Sequence, residues 1–194
     1  MEIVNRVKSI LVSPKTEWQT IETENDTHVK VFTTYVVPLA LIPAVAAFIG
    51  YGLIGHSVLG VHFGSISWGL SHAIQQYILM LGGVYLTAFV IDMLANNFGA
   101  TKDFNRAFSL VAYSYTPAFI AGIFNIHYSL SWIVSLGGLY SLYLLYIGLQ
   151  PMMKVPAEKQ TTYFIVSLVT MLIVFVVLSA ILMSIFVSSS LLRF

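Results

Sequence analysis

The sequence predicts an all-α, polytopic membrane protein, with five transmembrane helices behind short amphipathic N-terminal helices. Three observations predict it. Of 194 residues, 58% are hydrophobic and only 9% charged, against about 25% charged in soluble domains. Residues 31–91 and 107–153 contain no Asp, Glu, Lys or Arg, and each stretch is too long for one crossing of about 20 residues. The Lys and Arg residues fall almost entirely on alternate sides of the spans that result.

In residues 1–12, Ile3, Val4, Val7, Ile10 and Leu11 form an apolar stripe at helical spacing, with Glu2, Asn5, Arg6, Lys8 and Ser9 opposite. Such a helix either lies in the membrane interface or packs on the protein's own ends, and the pattern fits both. Ser13-Pro14 reads as an N-cap followed by proline at the first helical position. A second short helix then runs to about residue 24, with Trp18 suited to headgroup level. The first dozen residues mix charged and apolar positions and do not read as a secretory signal.

The glycines and serines of residues 56–69 break the first charge-free run, because irregular backbone belongs outside lipid. This gives spans near 31–54 and 70–95, the first kinked at Pro38 and Pro43. Residues 125–129 break the second run into spans near 104–124 and 130–149. Pro117 should bend the third span. Pro151 and Pro156 are stops before a fifth span near 161–187. The organisation is therefore an amphipathic segment, residues 1–30, and a five-helix domain, residues 31–194. Eight of the nine Lys and Arg residues fall on one set of sides, and only Arg193 falls on the other. The positive-inside rule then places the N-terminus in the cytoplasm and the C-terminus outside.

Residues 92–117 hold most of the candidate chemistry. Asp92 is the one carboxylate inside an expected span, and intramembrane carboxylates are costly and usually purposeful. It either forms an ion or polar-ligand site or pins the turn by pairing with Lys102 or Arg106. Lys102 and Asp103 occupy that turn. Tyr113, Ser114 and Pro117 follow in the third span, where the proline frees a carbonyl near Tyr113. These residues are the ligand or ion candidates; Ile3, Val7, Ile10, Leu11 and Trp18 are the membrane-interface candidates.

Net charge is +1, so no basic surface points to nucleic acid. There is no cysteine, which removes disulfides and thiol chemistry. Among His56, His62, His72 and His127 no two have HxH or HxxxH spacing, so neither metal nor cofactor is expected. No GxSxG, HExxH, phosphate-binding glycine loop or dinucleotide fingerprint is present. A non-enzymatic protein is expected, with a small-solute or ion transporter, using a polar cavity around Asp92 and Tyr113, as the alternative.

Several strings resemble the Yip (Ypt-interacting protein) domain family. One is Gly99-Ala100-Thr101-Lys102-Asp103-Phe104, with Ala112-Tyr113-Ser114 and Pro117. Another is Leu144-Leu145-Tyr146-Ile147-Gly148-Leu149, running into Met153-Lys154-Val155-Pro156 and Glu158-Lys159. Ile10-Leu11-Val12-Ser13-Pro14 with Trp18 is similar to the opening of bacterial members. The resemblance implies five spans, a cytoplasmic N-terminus and a bacterial inner-membrane protein. The apolar stripe of residues 3–11, the many small residues and the missing catalytic motifs lead to the expectation that the protein acts by helix packing with itself or other membrane proteins. Its N-terminus is expected to insert among the membrane lipids of the cytoplasmic leaflet. Eukaryotic members resemble trafficking factors that bind Rab-type GTPases. The long acidic and aromatic N-terminal region of those members is missing here, so Rab binding is not carried over.

Overall fold

The computed structural model describes the backbone of residues 3–58 and 61–191. Side-chain surroundings at 56–63, 128, 131, 175 and 178–191 lie outside the description, as does Arg193. The chain begins with α1 (Ile3–Val12) and α2 (Pro14–Thr23). Long helices follow: α3 (His28–Ile54), α4 (Ile66–Phe98) and α5 (Phe104–Ile126). The last two are α6 (Ser131–Met153) and α7 (Ala157–Leu191). α3 and α4 are joined through a short antiparallel ladder, β1 (His56–Val58) with β2 (Val61–Phe63).

Four of these helices are long and apolar enough to cross a membrane: α3, α4, α5 and residues Trp132–Met153 of α6. The expected fifth span, residues 161–187, lies on α7, but it runs into positions whose side chains are outside the description. The expected loop at 56–69 is a strand pair followed by an earlier helix start. Ser65 caps α4 by accepting a hydrogen bond from the Trp68 N–H at 3.2 Å.

The prolines act differently from one another. α3 stays continuous through Pro38 and Pro43, with wider π turns at Phe32–Val36 and Ile49–Ile54; a π turn absorbs a lost i→i−4 bond without ending the helix. α5 does break, at Tyr115, just ahead of Pro117. Pro151 does not stop α6, which runs on to Met153. Its last carbonyls find donors across the bundle: Thr101 N–H gives to Met153 at 2.7 Å, and Arg106 to Met152 at 3.4 Å. The helix ends instead at Lys154, in the left-handed conformation, ahead of Val155-Pro156.

Close packing holds the bundle, since lipid removes the hydrophobic drive between helices. Ala40, Val84, Ala88, Leu110, Val111 and Leu144 have no exposed surface, while Leu70, Ile74, Ile78, Leu136 and Leu139 of α4 and α6 face outward.

The N-terminal pair is part of this packing. Ile10, Trp18 and Ile21 are fully buried in the core, and Ile3, Val7 and Leu11 pack against it. This corrects the sequence reading for Ile10 and Trp18, which touch protein and not headgroups. A Cβ on Gly148 of α6 would stand 2.7 Å from the Trp18 ring, so only glycine admits the indole. α1 and α2 form a helical hairpin with its turn pointing inward along the bundle. The Leu11 carbonyl accepts from Tyr140 at 2.8 Å, α1 touches the Thr116–Ala121 segment of α5, and Glu22 faces Lys154 at 3.7 Å. Tyr140 lies about 20 Å, at about 1.5 Å per residue, from the Met153 end of α6. The hairpin tip is therefore level with the middle of an apolar helix.

Candidate functional site

The polar centre of the protein is where this hairpin meets α3 and α5. Arg6 is 5% exposed. Its Nη1 donates to Glu17, itself buried, and its Nη2 lies 2.6 Å from both carboxylate oxygens of Glu24. The guanidinium sits over the Tyr113 ring, 5.3 Å from its centroid. Burial by itself lowers the Arg6 pKa, but the bond to Glu24 and the surrounding negative charges outweigh it and raise it above its ordinary value. One cation faces two carboxylates, so the cluster carries a net negative charge within a protein interior.

A cleft of about 280 Å³ opens beside it, lined by Arg6, Glu24, Asp26, Lys30, Tyr35 and Tyr113. Asp26 pairs with Lys30 at 2.6 Å, one helical turn apart. Thr27 caps the start of α3 by accepting from the Lys30 N–H, which sets Lys30 and Tyr35 facing the cleft. Tyr35 meets Tyr113 edge-on, with centroids 4.7 Å apart. Tyr35 donates to Thr116 at 2.7 Å, and Thr116 donates to the Tyr113 carbonyl at 2.6 Å. The carbonyl released by Pro117 is thus satisfied within the protein. Tyr35 and Tyr113 are the lining residues furthest along α3 and α5 from the Lys- and Arg-rich end, so they close the inner end. A smaller cleft of about 90 Å³ shares Glu24 and Asp26 and adds Asp103 and Arg106.

The turn between α4 and α5 is a clasp. Gly99 has φ 70°, the left-handed position that favours glycine. Gly99 N–H gives to Asn96 at 3.2 Å and Ala100 N–H to Ala95 at 3.0 Å, a Schellman closure of α4. Asp103 caps α5, accepting from the N–H groups of Asn105 at 2.9 Å and Arg106 at 3.2 Å. Asp92 lies near enough to Asp103 and to exposed Lys102 for both to act on it electrostatically. The expected ion pair of Asp92 with Lys102 or Arg106 is not among those of the described residues; Arg106 faces Asp103 at 3.8 Å. One Asp92 oxygen, Oδ1, is buried without a partner.

The sequence candidates are thus split. Tyr113 lines the cleft. Asp92, Lys102 and Asp103 belong to the clasp, and Asp92 does not line the Tyr113 cleft. Ser114 is 1% exposed, and its hydroxyl has no partner among the described residues. Pro117 is buried at the break in α5. The phenols diverge: Tyr77 reaches the Val37 carbonyl, Tyr140 reaches Leu11 and Tyr146 meets Thr161. Arg6, Glu17, Glu24, Asp26 and Tyr35 were missed. Arg6, expected opposite the stripe, stands three residues after Ile3 and four before Ile10 and so shares their face; Glu17 likewise shares the face of Ile21, with Glu24 just past the end of α2.

The Yip1 domain model matches residues 8–181, which takes in α2, every candidate span and most of α7. The chain belongs to the Yip1 domain family. Inner membrane protein YohC of Escherichia coli K12 is 30% identical over 166 residues, covering 82% of this chain and 85% of that protein. The YohC protein of E. coli O6:H1 matches equally well. No solved structure matches. The residues that carry the Yip resemblance map onto the clasp and the α6 seat: Gly99 to Phe104 shape the turn, Gly148 admits Trp18, and Lys154 ends α6. As a Yip1 family member with four candidate spans, this is an integral membrane protein.

Proposed function

We propose that this is a non-enzymatic, five-span protein of a bacterial inner membrane, N-terminus cytoplasmic and C-terminus outside. It organises the membrane by helix packing with copies of itself or other membrane proteins, and by seating the α1–α2 hairpin in the cytoplasmic leaflet. The observation that carries the reading is the hairpin's position. It reaches only to Tyr140 of α6, so it adds two helices to the cross-section at the basic end and none at the other. A cross-section wider in one leaflet is a wedge. The outward side of α1 suits that leaflet: Val4 and Val12 are exposed, with exposed Lys8 between them and Lys15 close by. Valines take acyl chains, and lysine stems carry their ammonium groups to the headgroups. The inner-membrane placement rests on YohC, and the orientation rests on the Lys and Arg asymmetry.

The transport reading is weaker, because Tyr35 and Tyr113 close the cleft's inner end and Asp92 is outside it. Vesicles made at a fixed lipid-to-protein ratio test the wedge. The full chain is expected to give a smaller mean diameter than a variant lacking residues 1–24, with both proteins checked for helix content by circular dichroism. Equal diameters from two folded proteins contradict it.

A further inference from the structure

The geometry points to the cleft between α1, α3 and α5 as a binding site for a primary ammonium group, held by Glu24, Asp26 and the Tyr113 hydroxyl. Such a site needs the same hairpin placement as the leaflet wedge but is tested by ligand binding, so an unchanged vesicle diameter does not decide it.

Charge gives the sign of the ligand. Arg6 and Lys30 are the cations of the cleft and its rear wall; Glu17, Glu24 and Asp26 are the anions. One negative charge is left over. It rests on the Arg6 cluster, where Glu17 lies behind the guanidinium with a side chain 9% exposed, while that of Glu24 is 30% exposed and opens into the cleft. An enclosed net charge favours an incoming counter-ion.

Hydrogen-bonding capacity gives the class. An ammonium group has three donors and no acceptor. Glu24 keeps lone pairs beyond those that Arg6 uses, and the second oxygen of Asp26 makes no hydrogen bond among the described residues. Tyr113 is 5% exposed and lines the cleft, and no hydrogen bond among the described residues uses its hydroxyl. A hydroxyl on a cleft-lining residue that makes no hydrogen bond to the described residues is a group that a ligand can satisfy. A quaternary ammonium has no N–H to offer these acceptors. Size sets the limit: about 280 Å³ lies at the small end for ligand pockets, so the site takes an alkylammonium or a lipid's aminoethyl headgroup but not a nucleotide.

The test is thermal unfolding of the purified full chain, followed by tryptophan fluorescence, in nanodiscs of phosphatidylglycerol and of phosphatidylethanolamine. Methylammonium, ethanolammonium, tetramethylammonium, sodium and potassium chlorides are added at matched ionic strength. In phosphatidylglycerol, methylammonium and ethanolammonium should raise the midpoint saturably, by about 3 °C, and the other three salts should not. In phosphatidylethanolamine, a raised starting midpoint with no further response identifies the headgroup as the source; an unchanged response identifies the free amine. Tyr113→Phe, which leaves the ring and its packing in place, should weaken the apparent affinity about tenfold, and Glu24→Gln should abolish the response. The site is ruled out if no ammonium shifts the midpoint in either lipid. It is equally ruled out if sodium or potassium acts as well, or if both variants respond like the unaltered chain.

Discussion

Arg6 shows how much one residue can decide. Its charge is buried and shared by Glu17 and Glu24. Removing the cation leaves two carboxylates facing each other, and breaking a buried pair of this kind costs about 3–5 kcal/mol. Arg6→Ala should therefore lower the melting temperature in detergent sharply; a variant that melts with the unaltered chain would show the cluster to be solvated. The pH dependence follows from the direction of the shift. A pKa raised above the ordinary arginine value means that Arg6's contribution is complete below that value and is lost only above the raised one. Melting between pH 6 and 8 should show no titration from Arg6. Asp92 makes a smaller, separable contribution. Asp92→Ala and Asp92→Asn both remove a charge that exposed Lys102 screens, so each should cost under about 1 kcal/mol. A loss of several kcal/mol in either melt would show the carboxylate to anchor the turn.

Among the helices, the hairpin's seat on α6 and the clasp between α4 and α5 carry the architecture. Gly148→Val places side-chain atoms where the Trp18 ring lies, and overpacking of this kind costs about 1–3 kcal/mol. The same substitution at Gly138, where a Cβ meets nothing, should be nearly neutral, and thermal melts of the pair separate a specific seat from a general intolerance of valine. Much of this level was readable in advance. The charge-free runs marked out four of the spans, and the polar string around Gly99, Lys102 and Asp103 marked a turn, though not the cap that Asp103 makes. The seat was not readable. An apolar stripe such as Ile3, Val7, Ile10 and Leu11 fits a lipid surface and a protein groove equally, and only contacts distant in sequence, Trp18 with Gly148 and Leu11 with Tyr140, decide between them. Pro151 misled for the same reason. The donors that satisfy the last carbonyls of α6 beyond it come from Thr101, in the turn before α5, and Arg106, on α5.

At the scale of the whole molecule, the Yip1 fold is a bundle whose basic end is broadened by a hairpin reaching halfway along it. The polar cleft, the buried Arg6 cluster and the wedge all depend on that placement. Were α1 and α2 instead lying flat on the surface, Arg6 would be in water, the cleft would lose a wall and the two leaflets would see equal cross-sections. The absence of cysteine allows a clean measurement. Single variants Val12→Cys, at the hairpin tip, and Lys102→Cys, on the exposed turn, are spin-labelled in lipid vesicles, and their collision rates with oxygen and with a water-soluble nickel chelate are compared. A re-entrant hairpin predicts that the label at position 12 is oxygen-accessible and chelate-shielded, at hydrocarbon depth, while the label at 102 is chelate-accessible. A label at position 12 as open to the chelate as the one at 102 would contradict it.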